Sequence, residues 1–215
     1  MDTPEARTAE DPTVADTSLE DRDDPWPVES SEDLFRDDWV LALRADRVRR
    51  PDDPDGETFR RLVLEHPGAV VVLAVDDDGQ VCLLRQYRHP AGKQFVELPA
   101  GLLDVAGEEP EVTARRELRE EVSLEATEWT HLGSFHSSPG ISEEVMHFYL
   151  AQGLSEVGRG DFTPVHEEAE MQVFRAPFEE LTKAVLEGRV ADAPVALAVL
   201  LVVGRALHPR GPARE

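Results

Sequence analysis

The sequence predicts an α/β fold, in which helices are layered around a mixed sheet that follows a small N-terminal antiparallel β region. Three observations lead there. Apolar runs of strand length recur from Trp39 to Arg88, an apolar helical period runs from Pro110 to Val122, and two more helical segments lie near the C-terminus. The 215 residues suit one ordinary domain with an appendage.

The elements follow in order. Residues 1–32 are acidic and rich in Pro, Ser and Thr, with almost no aliphatic period, so they read as a disordered tail that cannot bury enough surface to offset its ordering entropy. Residues 33–66 read as the N-terminal β region: Trp39–Val48 alternates apolar and polar residues, "PDDPDG" turns the chain, and "ETFRRLVLEHPG" returns it. Residues 67–209 form the main domain. There "AVVVLAV" and "QVCLLRQYR" flank the turn Asp76–Gly79 and predict a β-hairpin, and "KQFVELPAG" adds a short strand. Pro110 suits a first helical position, and Ala114, Leu118 and Val122 recur at i, i+4, i+8 on one face of a helix. "HLGSFHSSPGISEEVMHFYLAQGL" reads as strand, exposed loop, strand. "MQVFRA" is a strand, "PFEELTKAVLEG" an amphipathic helix ending at Gly188, and Asp192 with Pro194 opens a last apolar helix to about Leu207. Residues 210–215 are a short tail.

Composition narrows the function. With 45 acidic against 22 basic residues and a formal net charge of −23, the chain is a poor electrostatic partner for nucleic acid or an anionic membrane. Any phosphate it handles needs a cation as go-between. Cys82, the only cysteine, sits in an apolar run as a small strand residue and fits a reducing cytoplasm. The start carries no basic-then-apolar leader, and the run from Pro194 falls short of the roughly 20 apolar residues of a spanning helix, so a soluble cytoplasmic protein is expected. The histidines show no paired zinc-ligand spacing.

The most informative stretch is the acidic helix. Glu117 and Glu121 are i, i+4 neighbours and Glu117 and Glu120 i, i+3, so three carboxylates project from one side of the helix at some cost in repulsion. Arg115, Arg116 and Arg119 soften that repulsion, and a solvated face would need no more. The helix, however, follows a strand and a Gly-bearing loop, which sets its acids at a sheet edge as a hard-oxygen cluster of the type that holds Mg²⁺, with Mn²⁺ as the alternative.

Gly101, Glu108 and the run Arg116-Glu117-Leu118-Arg119-Glu120-Glu121-Val122-Ser123-Leu124 resemble the Nudix box, G-x5-E-x7-R-E-U-x-E-E-x-G-U with U aliphatic. Two departures stand out: six residues separate Gly101 from Glu108, and Ser123 occupies a glycine position that favours a left-handed backbone. The surrounding words "RQYR", "ELPAG", "SSPGISEE" and "HEEAEM" resemble the ADP-ribose pyrophosphatase group of that family.

The resemblance implies a Nudix-type α/β/α sandwich whose N-terminal β region supports a homodimer, and a divalent-metal hydrolase that cuts the nucleotide-sugar ADP-ribose into AMP and ribose 5-phosphate. GDP-mannose, NADH or a related compound is the alternative substrate, and a non-catalytic ADP-ribose-binding regulator the alternative class. It further implies metal ligation by Glu117, Glu121, Glu120 and the Ala100 carbonyl, with Arg116 orienting a glutamate by ion pairing. The general base would come from the "HEEAEM" loop: Glu168 first, then Glu167, with Glu170 behind. Arg88 would contact the diphosphate, Arg60 would be a second such arginine, and Trp39 would stack on adenine, although a tryptophan in a dimer contact fits Trp39 as well.

Overall fold

The computed structural model describes residues 18–158 and 170–207. These residues form ten strands in three sheets, and three α-helices. β1 (Val28–Phe35), β2 (Ala42–Val48) and β3 (Phe59–Glu65) form an antiparallel N-terminal sheet in the order β1-β2-β3. β4 (Ala69–Ala74), β7 (Ala100–Leu102), β8 (Leu124–His136) and β9 (Val145–Glu156) form a mixed sheet in the order β7-β4-β9-β8, with β4 parallel to β9. β5 (Gln80–Arg88), β6 (Lys93–Glu97) and β10 (Gln172–Pro177) form the third, in the order β10-β5-β6.

The reason for the layering lies in β4 and β5, which are apolar on both faces, as strands covered from both sides must be. Val70, Val72, Ala74, Cys82 and Leu84 pack with Ala114, Leu118 and Val122 of α1 (Pro110–Val122). Val71, Leu73, Val81 and Leu83 point the other way and pack with Leu181 of α2 (Phe178–Leu186) and with Val195, Ala198, Val199 and Val202 of α3 (Ala193–Gly204). Helices thus cover opposite sides of the strands. Asp192 caps α3 by accepting from the Val195 N–H at 3.0 Å.

The hairpin expected around Asp76–Gly79 forms only at its tip. The turn closes through Asp76 N–H to the Gln80 carbonyl, and Val75 bridges Val81, but β4 and β5 then diverge into different sheets. Both strands are apolar on both faces, so each is better served by its own pair of neighbours than by the other. The N-terminal sheet also begins earlier than expected: β1 starts at Val28, inside the segment read as tail. All eight of its residues are exposed, so no buried alternation marked it; backbone pairing to β2 holds it in place. Strand β8 begins at Leu124, directly after α1. The expected tail residues 1–17 and 210–215 lie outside the described residues.

The N-terminal sheet is fastened to the loop at 137–144. Leu64 N–H donates to the Ile141 carbonyl at 2.7 Å and Glu143 N–H to the Leu64 carbonyl at 3.1 Å. Arg44 bonds Glu143, Glu65 and the buried Asp46 at once.

Helix α1 ends where the sequence departs from its pattern. Ser123 takes φ 58°, ψ 38°, and its N–H bonds the carbonyls of Leu118 and Arg119. This left-handed conformation strains a residue with a Cβ. Ser123→Gly is therefore expected to stabilise the protein by about 1 kcal/mol, read as a rise in Tm.

Candidate active site

The site begins with a close approach. β7 brings Gly101 against α1, and a Cβ added there would overlap the carboxyl group of Glu117. Glycine leaves the space in which the Glu117 carboxyl group sits. One residue earlier, the Ala100 N–H donates to Glu121 Oε2 at 2.9 Å, so the same short strand seats two of the three carboxylates.

Arg116 sits among the acids. Its Nη1 lies 2.7 Å from Glu117 Oε1 and 3.3 Å from Glu120 Oε2, while Nη2 lies 3.3 Å from Glu108 Oε2 and 3.7 Å from Asp104 Oδ1. The Thr113 hydroxyl donates to Glu108 at 2.8 Å and fixes that carboxylate in turn. One guanidinium thus serves four carboxylates, and among the described residues its buried Nε has no partner.

A single arginine does not offset the burial. The Glu117 side chain is only 13% exposed. Burial pushes its carboxyl up to about 7, with the charge of Glu120 adding to the rise and Arg116 opposing it. Near neutral pH the site is therefore short of positive charge at Glu117.

The donor chemistry fits a hard divalent cation: carboxylate oxygens on one helix face, beside a loop strand with backbone carbonyls. Among the described residues, no three acidic, imidazole or thiol side chains converge as they stand on a common ion position. Arg116 holds Glu117 and Glu120, and the Ala100 N–H engages Glu121. Binding an ion would require Glu117 to exchange Arg116 for it.

Arg88, at the end of β5, is held by Glu97 of β6. Its Nε and Nη2 lie 2.9 and 2.7 Å from the two carboxylate oxygens. Glu97 is buried, whereas the Arg88 side chain is 50% exposed, so the pair presents a cation anchored from below. The bond to Glu97 raises the affinity of this guanidinium for its proton, and the negative charges of Glu121 and Asp192 add to the rise. Burial raises the carboxyl of Asp192 to about 6, against its bond from Val195 N–H.

The structure thus gathers Ala100, Arg116, Glu117, Glu120 and Glu121, and holds Arg88 separately on Glu97. Trp39, in the β1–β2 connection, and Arg60, in β3, stand apart with the N-terminal sheet. Trp39 is 63% exposed, its main-chain N–H bonded to Asp37, and Arg60 pairs with Arg47 in the β2–β3 register. Neither reaches the box by hydrogen bond or ion pair among the described residues. Glu167 and Glu168 lie outside those residues, and Glu170 is the first residue described after them. Glu97 was the residue sequence reasoning passed over. Its signal was a lone acid closing an apolar strand, four residues of hairpin register away from Arg88.

Among the described residues no helix is long and apolar enough to cross a membrane. The NUDIX domain family model matches residues 65–197. A protein of Mycobacterium tuberculosis named ADP-ribose pyrophosphatase is 47% identical over 164 residues, 76% of each chain. One of Bacillus methanolicus named methanol dehydrogenase activator is 36% identical over 160 residues, 74% of this chain and 83% of the other. A crystal structure of an ADP compounds hydrolase superposes with a TM-score of 0.69 at 22% identity, over 86% of this chain and 96% of that one, a likeness of fold.

The sign of the Glu117 effect on stability follows from its direction. A carboxyl whose folded pKa is raised contributes stability below its unfolded value near 4.5, and loses that contribution as pH rises through about 7. In EDTA, Glu117→Gln should therefore raise Tm relative to wild type at pH 8, with the gap narrowing towards pH 5. A gap independent of pH would show that Glu117 is not held at a cost.

Proposed function

Given that the chain belongs to the Nudix family of hydrolases, we propose that it hydrolyses the pyrophosphate bond of ADP-ribose to AMP and ribose 5-phosphate, with Mg²⁺ or Mn²⁺, as a cytoplasmic homodimer. The observation that carries the reading is the carboxylate cluster at Gly101. It sets Glu117, Glu120 and Glu121 side by side with a deficit of positive charge. The named activity of the M. tuberculosis relative supports the substrate.

Glu117, Glu120, Glu121 and the Ala100 carbonyl would hold the cation. When bound, it supplies positive charge to the diphosphate and acid strength to the attacking water. Arg116 orients Glu117 and Glu120 and would stay anchored on Glu108 and Asp104 if Glu117 took part in holding the cation. Arg88, anchored by Glu97, meets the negative charge of the diphosphate. The water's proton goes to a carboxylate of the 167–170 segment, with Glu168 the first choice, Glu167 the second and Glu170 the third. Arg60 and Trp39 lie with the N-terminal sheet, so a role for them at the site rests on a second copy bringing that sheet to it. The exposed Trp26, Phe35, Trp39, Val40 and Leu62 of this region support such a contact.

Incubation with ADP-ribose, GDP-mannose and NADH in Mg²⁺, Mn²⁺ or EDTA tests the reading. Release of AMP from ADP-ribose is expected with metal and none in EDTA. Preference for GDP-mannose or NADH would move the substrate, and tight ADP-ribose binding without turnover would favour a regulator. Glu121→Gln should lower kcat on the order of a hundredfold or more with the fold retained; unchanged turnover would place the metal elsewhere.

A further inference from the structure

We propose that Gln86 is a substrate-contacting residue whose carboxamide donates a hydrogen bond to the diphosphate beside Arg88, an inference that rests on the nucleotide-sugar reading above. Among the described residues five polar or charged side chains are buried: Asp46, Gln86, Glu97, Thr113 and Glu121. Four have partners. Ser31 and Arg44 serve Asp46, Arg88 serves Glu97, Thr113 serves Glu108, and the Ala100 N–H serves Glu121. Gln86, 7% exposed, is the exception: no group among the described residues hydrogen-bonds its carboxamide, whose N and O touch solvent, since Arg116 Nε is the one enclosed side-chain polar atom without a partner among them. The amide thus spends no hydrogen bond on the fold and keeps its donors for solvent or a ligand.

Its position says what the amide is for. Alternation along β5 places Gln86 on the face of Cys82 and Leu84, which pack towards α1, and on the face of Arg88. Leu84 pairs in register with Glu97, so the Arg88 side chain reaches back along this face, past Gln86, to its anchor. Glu97 occupies Nε and Nη2 of Arg88 and leaves Nη1 unpaired among the described residues. Alternation along β5 thus makes the unpaired amide and the unpaired edge of the guanidinium neighbours on one face of the strand. A carboxamide N–H₂ beside a guanidinium N–H₂ is a two-point donor for phosphate oxygens, and the neutral amide adds its bond without disturbing the balance of charge around the carboxylates.

The test uses Gln86→Met and Gln86→Leu in the full chain, with Mg²⁺ and ADP-ribose. KM should rise about tenfold or more, the loss expected for a hydrogen bond to a charged partner, and by more than kcat falls. Tm should hold, since the amide bonds no group of the fold among the described residues. An unchanged KM overturns the assignment, and so does a large fall in Tm or loss of folding in both variants, because the amide would then be holding the fold. If wild type does not turn over ADP-ribose, calorimetry replaces kinetics. Equal binding by wild type and variants overturns the role of Gln86 alone, and no binding by wild type overturns it together with the nucleotide-sugar reading.

Discussion

The absence of a side chain at Gly101 is the constraint on which the rest of the site depends. It lets β7 lie against α1 so closely that the Glu117 carboxyl fills the space a Cβ would occupy. That contact buries Glu117, and burial raises its carboxyl to about 7. The same strand turns the Ala100 N–H onto Glu121. A Cβ at this position would turn the Glu117 side chain out of the place it occupies. Arg116 then has to manage four acids with one charge, so the cluster is held together without being neutralised.

The wider fold serves this contact by supplying rigid walls. β4 and β5 leave one turn and enter different sheets. β4 carries β7 and hence Gly101 on one side, and β5 carries Gln86 and Arg88 on the other. α1 packs over both through Ala114, Leu118 and Val122, so the carboxylate cluster and the arginine edge share one core. The N-terminal sheet contributes no hydrogen bond to the box among the described residues; it is tied through Arg44 and Leu64 to the 137–144 loop. Its exposed aromatic residues are the surface a second copy would cover.

Much of this was legible in the sequence, for identifiable reasons. Helix α1 carried its own punctuation in Pro110 and its period in Ala114, Leu118 and Val122, so its bounds could be read. The left-handed Ser123 followed from a departure at a glycine position. The divergence of β4 from β5 was not legible, because a turn sequence reports the local bend and not which neighbours the strands then choose. β1 escaped notice because none of its side chains is buried. Glu97 carried only the signal of a lone acid closing a strand, and Gln86 none; their meaning depends on which partners the sheet brings or fails to bring to them. The order of preference among the loop glutamates rests on the resemblance alone.

The central claim is that buried Glu117 exchanges its proton and its arginine for a divalent ion. Calorimetric titration of Mg²⁺ into the protein at pH 6 and pH 8, in buffers of differing ionisation enthalpy, tests it most directly. The account predicts tighter binding at pH 8, proton release on binding at pH 6, and loss of both effects in Glu117→Gln. Affinity that is the same at both pH values, with no protons released, would contradict it.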